Sequence, residues 1–313
     1  MYFPYLRGRQ TELLALRDFA RMSLDNRCEI VPVIEPVKSD TAALCRAARE
    51  MIANDQLFAL VLNPYRGEFT TSSEVLSKLD EDVRAAMGVR WIPAYVYLEG
   101  LRTVSPEILP EKSMLIFPET LELTDAVREV ASREPVQYLL DGTESNQGFG
   151  RFARQLGRKG KAVAPLSDHF HEQRRNVDYL GCEDEFFADD FLGYQEDGYC
   201  GVGDYVTLPK GYTEGGSLPY AVAVHLTYQS GETIRIHHFV SDSNLDQSNI
   251  QGKFSEAAAK VKEFFSSRPK TAGIRALLEF KEAGRYPGLA ALKKWSILNH
   301  LELMAQVLRE GEA

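Results

Sequence analysis

The strongest constraint on the fold is the regular alternation of short apolar runs with segments of helical spacing. Seven continuous apolar runs recur at intervals of about 25–30 residues, and amphipathic segments fill most of the intervals between them. The runs are residues 2–6, 30–34, 57–62, 90–98, 114–117, 136–140 and 161–166. Parallel strands covered on both faces have this continuous apolar character. Seven such units predict a single (β/α)8-type, TIM-like barrel rather than an open doubly wound sheet.

Two alternating runs, residues 221–228 and 233–240, flank the sequence QSGE and predict a β-hairpin with a glycine-containing turn. We expect the first arm of this hairpin to supply the eighth barrel strand. Several prolines near strand ends, including Pro36 and Pro118, leave room for a distorted barrel, because proline removes a donor from a strand ladder.

The domain organisation follows from this placement of the last strand. Residues 169–219 become a long insertion before it, and a stretch of that length is typical of a functional loop or a small subdomain. Helical patterns continue after the hairpin. We therefore expect one barrel domain over residues 1–313, with the insertion over the barrel mouth and the C-terminal helices of residues 253–313 packed on the barrel.

Composition narrows the class of partner. The net charge of −9 argues against a general nucleic-acid-binding surface, which would be basic. The four cysteines, Cys28, Cys45, Cys182 and Cys200, are widely spaced and form no CxxC motif, so a zinc ribbon or a disulfide framework is not expected. No apolar run approaches the ~20 residues that span a bilayer. These features favour a cytoplasmic protein that does not bind membranes.

Polar residues follow nearly every predicted strand. Side chains just beyond the carboxyl ends of barrel strands converge on one face, where barrel enzymes place their chemistry. The residues at these positions are Arg7, Arg9, Glu35, Lys38, Asn63, Arg66, Glu99, Glu119, Asp141, Asp168 and His169. The oxygen ligands among them could hold a divalent cation, and the mixed charges could bind a polar ligand. Solvated loops also carry charge, so each position alone is a weak signal. We select Arg7, Arg9, Glu35, Lys38 and Asn63 as candidate ligand-binding residues.

The end of the seventh strand, the insertion, the hairpin and the residues just after it contribute the candidate catalytic residues. We expect Asp168, Asp190, Asp204, His225 and Asp242 to share one pocket, because paired carboxylates can bind a cation or act as acid and base when their pKa values differ. Aspartates in glycine-rich loops more often make local turns, and a histidine within an apolar strand more often has a core role. His237 and His238 point to opposite faces of the strand, so at most one of them can join His225.

Further candidates for ligand binding lie in polar stretches of the same half of the chain. Arg174 and Arg175 in the insertion could form a local basic patch, and Asn244 follows the hairpin. Lys253 opens a helix whose amide groups could bind an anion, although a plain helix start is the alternative. The pair His169 and His171 is a weak metal-binding signal, and no metal ligand is assigned.

Several short motifs carry a family resemblance over nearly the whole chain. They are YFPYLRGRQTELLAL, VPVIEPVK, RRNVDY, GVGDY, IHHFVSDSN followed by GKF, and KKWSILNHLELM. Together they resemble the Beta protein family of bacterial and phage proteins. The resemblance implies a single-domain α/β protein, in some cases from mobile or defence-associated gene neighbourhoods, and it assigns no catalytic residue. By its own spacing, GVGDY is not a dinucleotide fingerprint, because a third glycine is missing and a strand follows.

Two functions remain open from the sequence. The first is a hydrolase, which a metal could assist, that acts on a phosphate ester or a nucleotide at the strand ends, with or without a divalent cation; the cofactor is left open. The second is a non-catalytic sensor or partner subunit of a phage-defence or toxin–antitoxin-like system, which binds a protein encoded by a neighbouring gene. The acidic composition favours both over direct nucleic-acid binding.

Overall fold

The structure is a computed structural model, and it describes residues 1–24, 29–69, 71–98, 109–119, 121–143, 147–213, 215 and 218–310. The strands are β1 (Tyr2–Leu6), β2 (Val33–Ile34), β3 (Phe58–Val61), β4 (Trp91–Val96), β5 (Ser113–Phe117), β6 (Val136–Asp141), β7 (Ala162–Ser167), β8 (Asp184–Ala188), β9 (Val202–Asp204), β10 (Ala223–Ser230) and β11 (Thr233–Val240). The helices are α1 (Gln10–Ala20), α2 (Ala42–Ala53), α3 (Ser72–Lys78), α4 (Glu81–Ala85), α5 (Asp125–Ser132), α6 (Gln147–Arg158), α7 (Ile250–Phe264), α8 (Ala272–Glu282) and α9 (Leu289–Glu310), with a 3₁₀ helix at Asn176–Gly181. Cys28 and Glu99 lie outside the described residues.

Contacts within the chain group these elements into two compact units. The barrel unit consists of Met1–Asp168 and Asp190–Tyr205, and the hairpin unit consists of His169–Asp189 and Val206–Ala313. The sequence predicted one domain for the whole chain, whereas the observed contacts place the hairpin and the C-terminal helices in a unit of their own.

The barrel unit contains a closed barrel of eight parallel strands in the order β1-β2-β3-β4-β5-β6-β7-β9. This confirms the predicted (β/α)8-type, TIM-like fold. The seven predicted strands all lie in the barrel, and helices connect most of them. The register of β5 with β6 shifts at Ser113/Met114, which is a local irregularity of the ladder.

The identity of the eighth strand was predicted wrongly. β10, which we expected to close the barrel, pairs with β11 in a separate three-stranded antiparallel sheet. β9 closes the barrel instead, because Gly203 aligns with Phe3 of β1 and with Leu166 of β7. The strand sits against its neighbours with little space, since a Cβ on Gly201 would lie 1.9 Å from the Met1 carbonyl oxygen. The motif GVGDY is therefore the barrel-closing strand.

Alternate residues of the eight strands form the barrel interior, as the two-residue period of a strand requires. They make one buried apolar cluster, composed mainly of Phe3, Tyr5, Val31, Val33, Ala59, Val61, Ile92, Ala94, Val96, Met114, Ile116, Leu140, Ala164, Leu166 and Tyr205. The phase of this cluster places Arg7 and Glu35, two residues beyond Tyr5 and Val33, in the next layer at the carboxyl ends of the strands.

The hairpin unit is built on the antiparallel sheet β10-β11-β8. One face of this sheet packs against α7, α8 and α9 through Leu226, Phe239, Phe254 and Trp295. The outer edge of β10 is covered by α9. Ser296 donates a hydrogen bond to the His225 carbonyl oxygen, and Asn299 Nδ2 donates to the Thr227 carbonyl oxygen at 2.9 Å. This arrangement satisfies backbone acceptors that an edge strand would otherwise present to solvent.

Candidate functional site

The inner layer at the carboxyl ends of the barrel strands contains a buried ion pair. Arg7 and Glu35 are 5% and 0% exposed, and Arg7 Nη1 donates to Glu35 Oε2. The same oxygen accepts a hydrogen bond from the Tyr5 hydroxyl at 3.1 Å, and Oε1 accepts one from the Tyr65 backbone N–H at 3.0 Å. Both carboxylate oxygens of Glu35 are therefore bonded, as a buried charge requires.

Three tyrosine rings surround the guanidinium of Arg7. Its Cζ atom lies 5.0 Å from the ring centroid of Tyr5, 5.4 Å from that of Tyr205 and 5.9 Å from that of Tyr65. These distances allow cation–π attraction. Burial acts to lower the pKa of Arg7, but its interactions with Tyr5 and Glu35 outweigh this effect and raise the pKa. The guanidinium accordingly stays charged and fixed in place.

Tyr205 contributes a buried hydroxyl to this cluster. The residue is 2% exposed, and its Oη atom has no hydrogen-bond partner among the described residues. Burial, followed by the interaction with Tyr65, raises the pKa of Tyr205, so the group is a neutral O–H donor at physiological pH. An unsatisfied buried hydroxyl costs about 1–3 kcal/mol. This donor therefore favours a ligand acceptor at the same place.

A second such donor belongs to Arg66, which also contacts Tyr65. The Arg66 guanidinium stacks on the Tyr65 ring at 4.9 Å, and its Nη2 atom lies 3.7 Å from Glu119. Its Nε atom is buried and has no hydrogen-bond partner within the described part of the chain. Arg7, Arg66 and Tyr205 thus place charge and donors around one aromatic ring.

Other residues predicted at the strand ends have structural contacts. The Asn63 side chain extends the ladder between β3 and β4, because its amide both donates to and accepts from the Val96 backbone at 2.8 Å. Lys38 forms an exposed ion pair with Glu68 at 3.0 Å. Arg9 is the half-buried residue directly before α1.

The predicted carboxylate cluster is not one pocket. Asp168 is exposed and acts electrostatically on Tyr205, which places it near the Arg7 cluster. Asp204 is 3% exposed and accepts a hydrogen bond from the Tyr2 hydroxyl at 2.6 Å. Tyr2 and Asp204 are out of phase with the interior residues Phe3 and Tyr205, so they lie on the outer side of the barrel wall. The expectation that Asp204 faces the barrel mouth was wrong for this reason.

Asp190 accompanies Asp204 rather than Asp168. Its carboxylate accepts a hydrogen bond from Ser167 Oγ at 3.2 Å. It also contributes to the electrostatic environment of Tyr2, whose pKa is raised by burial and by Asp204. Of the three predicted aspartates of the barrel unit, Asp168 alone is thus associated with Tyr205.

His225 and Asp242 belong to the hairpin unit and do not contact each other in the described structure. Asp242 is exposed and pairs with Lys260 at 2.7 Å. His225 Nδ1 lies 2.7 Å from His238 Nδ1, so His238 is the residue that joins His225. His237 instead contacts Asp184 on the opposite face. Burial lowers the pKa of His225 to about 3, which makes its imidazole a weak base.

The remaining ligand-binding predictions in the hairpin unit are accounted for by local contacts or by exposure. Lys253 is 2% exposed, and its Nζ donates to the Asp246 carbonyl oxygen. The Asn249 side chain already accepts from the Gly252 N–H at 3.0 Å, so the start of α7 is capped by its own chain. Arg175 pairs with Asp178 at 2.6 Å. Arg174 is exposed, and Asn244 is half-buried in a loop.

Metal binding gains no support from the described residues, in which no three His, Cys, Asp or Glu side chains are grouped so that they could hold an ion. His171, one member of the predicted pair, lies 3.0 Å from Glu185, while His169 packs on Phe187. The described cysteines, Cys45, Cys182 and Cys200, are free thiols. None of the helices in the described part of the chain has the length and apolar content that a membrane span needs.

Tyr65 and Tyr205 were not among the residues predicted from the sequence. Tyr205 could have been found from the two-residue period of a strand. It follows Gly203 by two residues, so both positions face the inside of the barrel. No signal for Tyr65 stands out beyond its position in the loop after β3.

The fold and this cluster define a class: a (β/α)8-type barrel protein with an arginine–glutamate pair and three tyrosines in the interior at the carboxyl ends of its strands. No family model matches the chain, and no curated protein or solved structure matches it. The resemblance to the Beta protein family therefore stays a prediction from the motifs.

Proposed function

We propose that the barrel unit binds a phosphate ester or a nucleotide at the carboxyl ends of its strands and hydrolyses it. The observation that carries the proposal is the pair of buried donors, Tyr205 Oη and Arg66 Nε, which have no acceptor among the described residues. A phosphate group supplies several strong acceptor oxygens, and arginine is well suited to bind them. The half-buried Tyr65 ring, which contacts Arg66, could pack against a nucleobase.

The charges in the cluster limit where the phosphate group of the ligand can bind. Arg7 and Glu35 neutralise each other, and Asp168 adds a negative charge near Tyr205. A phosphate group is therefore better placed toward Arg66 and the Tyr205 hydroxyl than directly beside Glu35. In this arrangement Arg7 holds the tyrosines in position, and Asp168 orients an attacking water. No step of the proposal depends on a divalent cation.

The test of binding compares two ligands that differ in one phosphate. Adenosine 5′-monophosphate should raise the melting temperature of the protein, whereas adenosine at the same concentration should raise it little. Tyr205→Phe removes the donor and should weaken nucleotide binding by about 10–100-fold, the value of one hydrogen bond to a charged group. Equal shifts with both ligands, or unchanged binding by Tyr205→Phe, would contradict the proposal.

Tyr2→Phe is the matched control, because it is the same substitution on the outer side of the barrel wall. It removes a hydroxyl bonded to Asp204 and should lower the melting temperature without changing the nucleotide-induced shift.

The second candidate is a nucleotide sensor that does not turn its ligand over. It is favoured by the raised pKa of Tyr205, which prevents this hydroxyl from transferring a proton readily at neutral pH. Release of 4-nitrophenolate from 4-nitrophenyl phosphate, abolished by Asp168→Asn, would support the hydrolase. A nucleotide-induced thermal shift without such release would support the sensor, whose protein partner would then be sought among products of neighbouring genes.

A further inference from the structure

The hairpin unit contains a pair of imidazoles whose hydrogen bond has only two possible directions. His225 of β10 and His238 of β11 are directly opposite each other in the sheet, and their Nδ1 atoms lie 2.7 Å apart. At this distance one Nδ1 must donate and the other must accept. The direction decides which tautomer each ring adopts.

The charge of Glu185 in β8 favours one of the two directions. Its Oε1 atom lies 3.5 Å from His238 Nε2. Burial acts to raise the pKa of Glu185, but hydrogen bonds from Cys182 and His171 and the charge interaction with His238 lower it, so the carboxylate is ionised. An ionised carboxylate favours a hydrogen on the facing nitrogen, Nε2 of His238. Neutral His238 then accepts at Nδ1, and His225 must be the donor.

This assignment gives His225 the less common tautomer, with its hydrogen on Nδ1 and a lone pair on Nε2. The ring is partly exposed, and no hydrogen-bond partner for Nε2 is found in the described residues. Its Nε2 is therefore a fixed acceptor. Burial, with contributions from His238 and Lys293, lowers the pKa of His225 to about 3, so the ring stays neutral above pH 5.

Aromatic side chains from the segment before β8 surround the pair. The ring centroid of Tyr179 lies 4.6 Å from that of His225 and 4.5 Å from that of His238. Phe170 makes an edge contact with His225 at 5.3 Å. A ligand bound to His225 would accordingly lie beside aromatic side chains, which favours a planar, apolar body.

We propose that the hairpin unit contains a second ligand site, in which Nε2 of His225 accepts a hydrogen bond from the O–H or N–H group of a small aromatic molecule. His238 and Glu185 are positioning residues, because they fix the tautomer that leaves the acceptor exposed. This proposal does not depend on the nucleotide site proposed for the barrel unit.

The tautomer is measured directly by nitrogen-15 NMR of the histidine side chains at pH 7. We expect His225 to show a protonated Nδ1 and an unprotonated Nε2, and His238 the reverse. Glu185→Gln removes the charge that fixes the direction, so it should mix the tautomers of both rings. A hydrogen on Nε2 of His225 in the unmodified protein would overturn the proposal.

Binding is tested with phenol and anisole, which share a ring and differ in the ability to donate. Phenol should shift the Nε2 resonance of His225 and slow its carbethoxylation by diethyl pyrocarbonate, and anisole should bind about fivefold more weakly, the value of one neutral hydrogen bond. Exposed His171 serves as the internal control, because its modification should not respond to phenol. Equal effects of the two probes, or none with phenol, would refute the site.

Discussion

The two units bury polar groups in opposite ways. In the barrel unit a full positive and a full negative charge, Arg7 and Glu35, are held together with every oxygen of the carboxylate bonded. In the hairpin unit two imidazoles share a hydrogen bond while uncharged, and the nearest carboxylate, Glu185, lies 3.5 Å away. A buried pair of charges tolerates changes of pH but is strongly destabilised when one partner is removed. A neutral pair tolerates the loss of one partner better but is destabilised when acid protonates it.

The difference extends to the sheets that carry these groups. A closed barrel has no unpaired strand edge, whereas the three-stranded sheet needs another element to cover each edge. In the hairpin unit α9 does this for β10 with the side chains of Ser296 and Asn299. The backbone groups at this edge of the sheet therefore depend on a few side chains for their hydrogen bonds, whereas those of the barrel strands bond to neighbouring strands.

The largest effect is expected from removing one charge of the barrel pair. Glu35→Ala leaves the Arg7 guanidinium buried without its carboxylate, which should lower the free energy of unfolding by about 3–5 kcal/mol. Urea denaturation followed by circular dichroism measures the loss. The double variant Arg7→Met, Glu35→Ala should recover much of it, because no isolated charge remains. A loss below about 1 kcal/mol in the single variant would show that the pair is not as buried as described.

A second prediction concerns acid. The folded-state pKa values of His225 and His238 are lowered to about 3 and about 4, mainly by burial, below the ordinary value of 6.5. Their contribution to stability is complete above pH 6.5 and is lost as the pH falls toward 4, because the unfolded chain then binds more protons. For His238 this amounts to an order of 2–3 kcal/mol. Arg7 keeps its charge throughout this range.

Hydrogen exchange resolved by peptide, at pH 7, 5.5 and 4.5, checks this expectation. Peptides of β10, β11 and the segment around Tyr179 should lose protection before those of the barrel strands. The control is the variant His225→Gln, His238→Gln, in which the difference between the units should shrink. Barrel peptides that lose protection first in the unmodified protein would reverse the comparison.

The smallest effect in this series concerns the covered edge. Asn299 donates to the Thr227 carbonyl oxygen and accepts from the Thr271 hydroxyl at 2.8 Å, so it links β10, α8 and α9. Asn299→Ala leaves both partners unsatisfied and should cost about 1–3 kcal/mol in thermal or urea unfolding. Gln229→Ala, at an exposed position of β10, is the control and should leave the unfolding free energy unchanged within error. Indistinguishable variants would mean that water replaces Asn299 at the edge.

The first seven barrel strands could be predicted because each is buried on both faces and reads as a continuous apolar run. β9 could not, since it has three residues and one of them is Gly203, whose role depends on carbonyl groups of Phe3 and Pro165 at about 3 Å from where a Cβ would be. The alternating pattern of β10 was itself a sign of an antiparallel sheet with two different faces. The prediction assigned this strand to the barrel despite its period.

The candidate site was predictable in part for a related reason. Arg7 and Glu35 are in phase with the interior residues of their strands, so sequence position alone brings them to the mouth. Asp204 is one residue out of phase with Tyr205, and such a difference reverses the side of the wall. The partners of His225 could not be found, because register between β10 and β11 decides that His238 faces it.

The path of the chain has a consequence for how the molecule can be made. The chain passes between the units after residues 168, 189 and 205, so each unit is completed only by residues that follow part of the other. In a fragment ending at residue 168, β1 and β7 would be unpaired edge strands of a seven-stranded sheet, and they could pair with other chains. During synthesis the barrel cannot close until β9 has been made. β8 likewise cannot pair until the hairpin that follows it has left the ribosome. Neither unit can be excised by a single cut, and attempts to express one alone require rejoining two separate stretches of sequence.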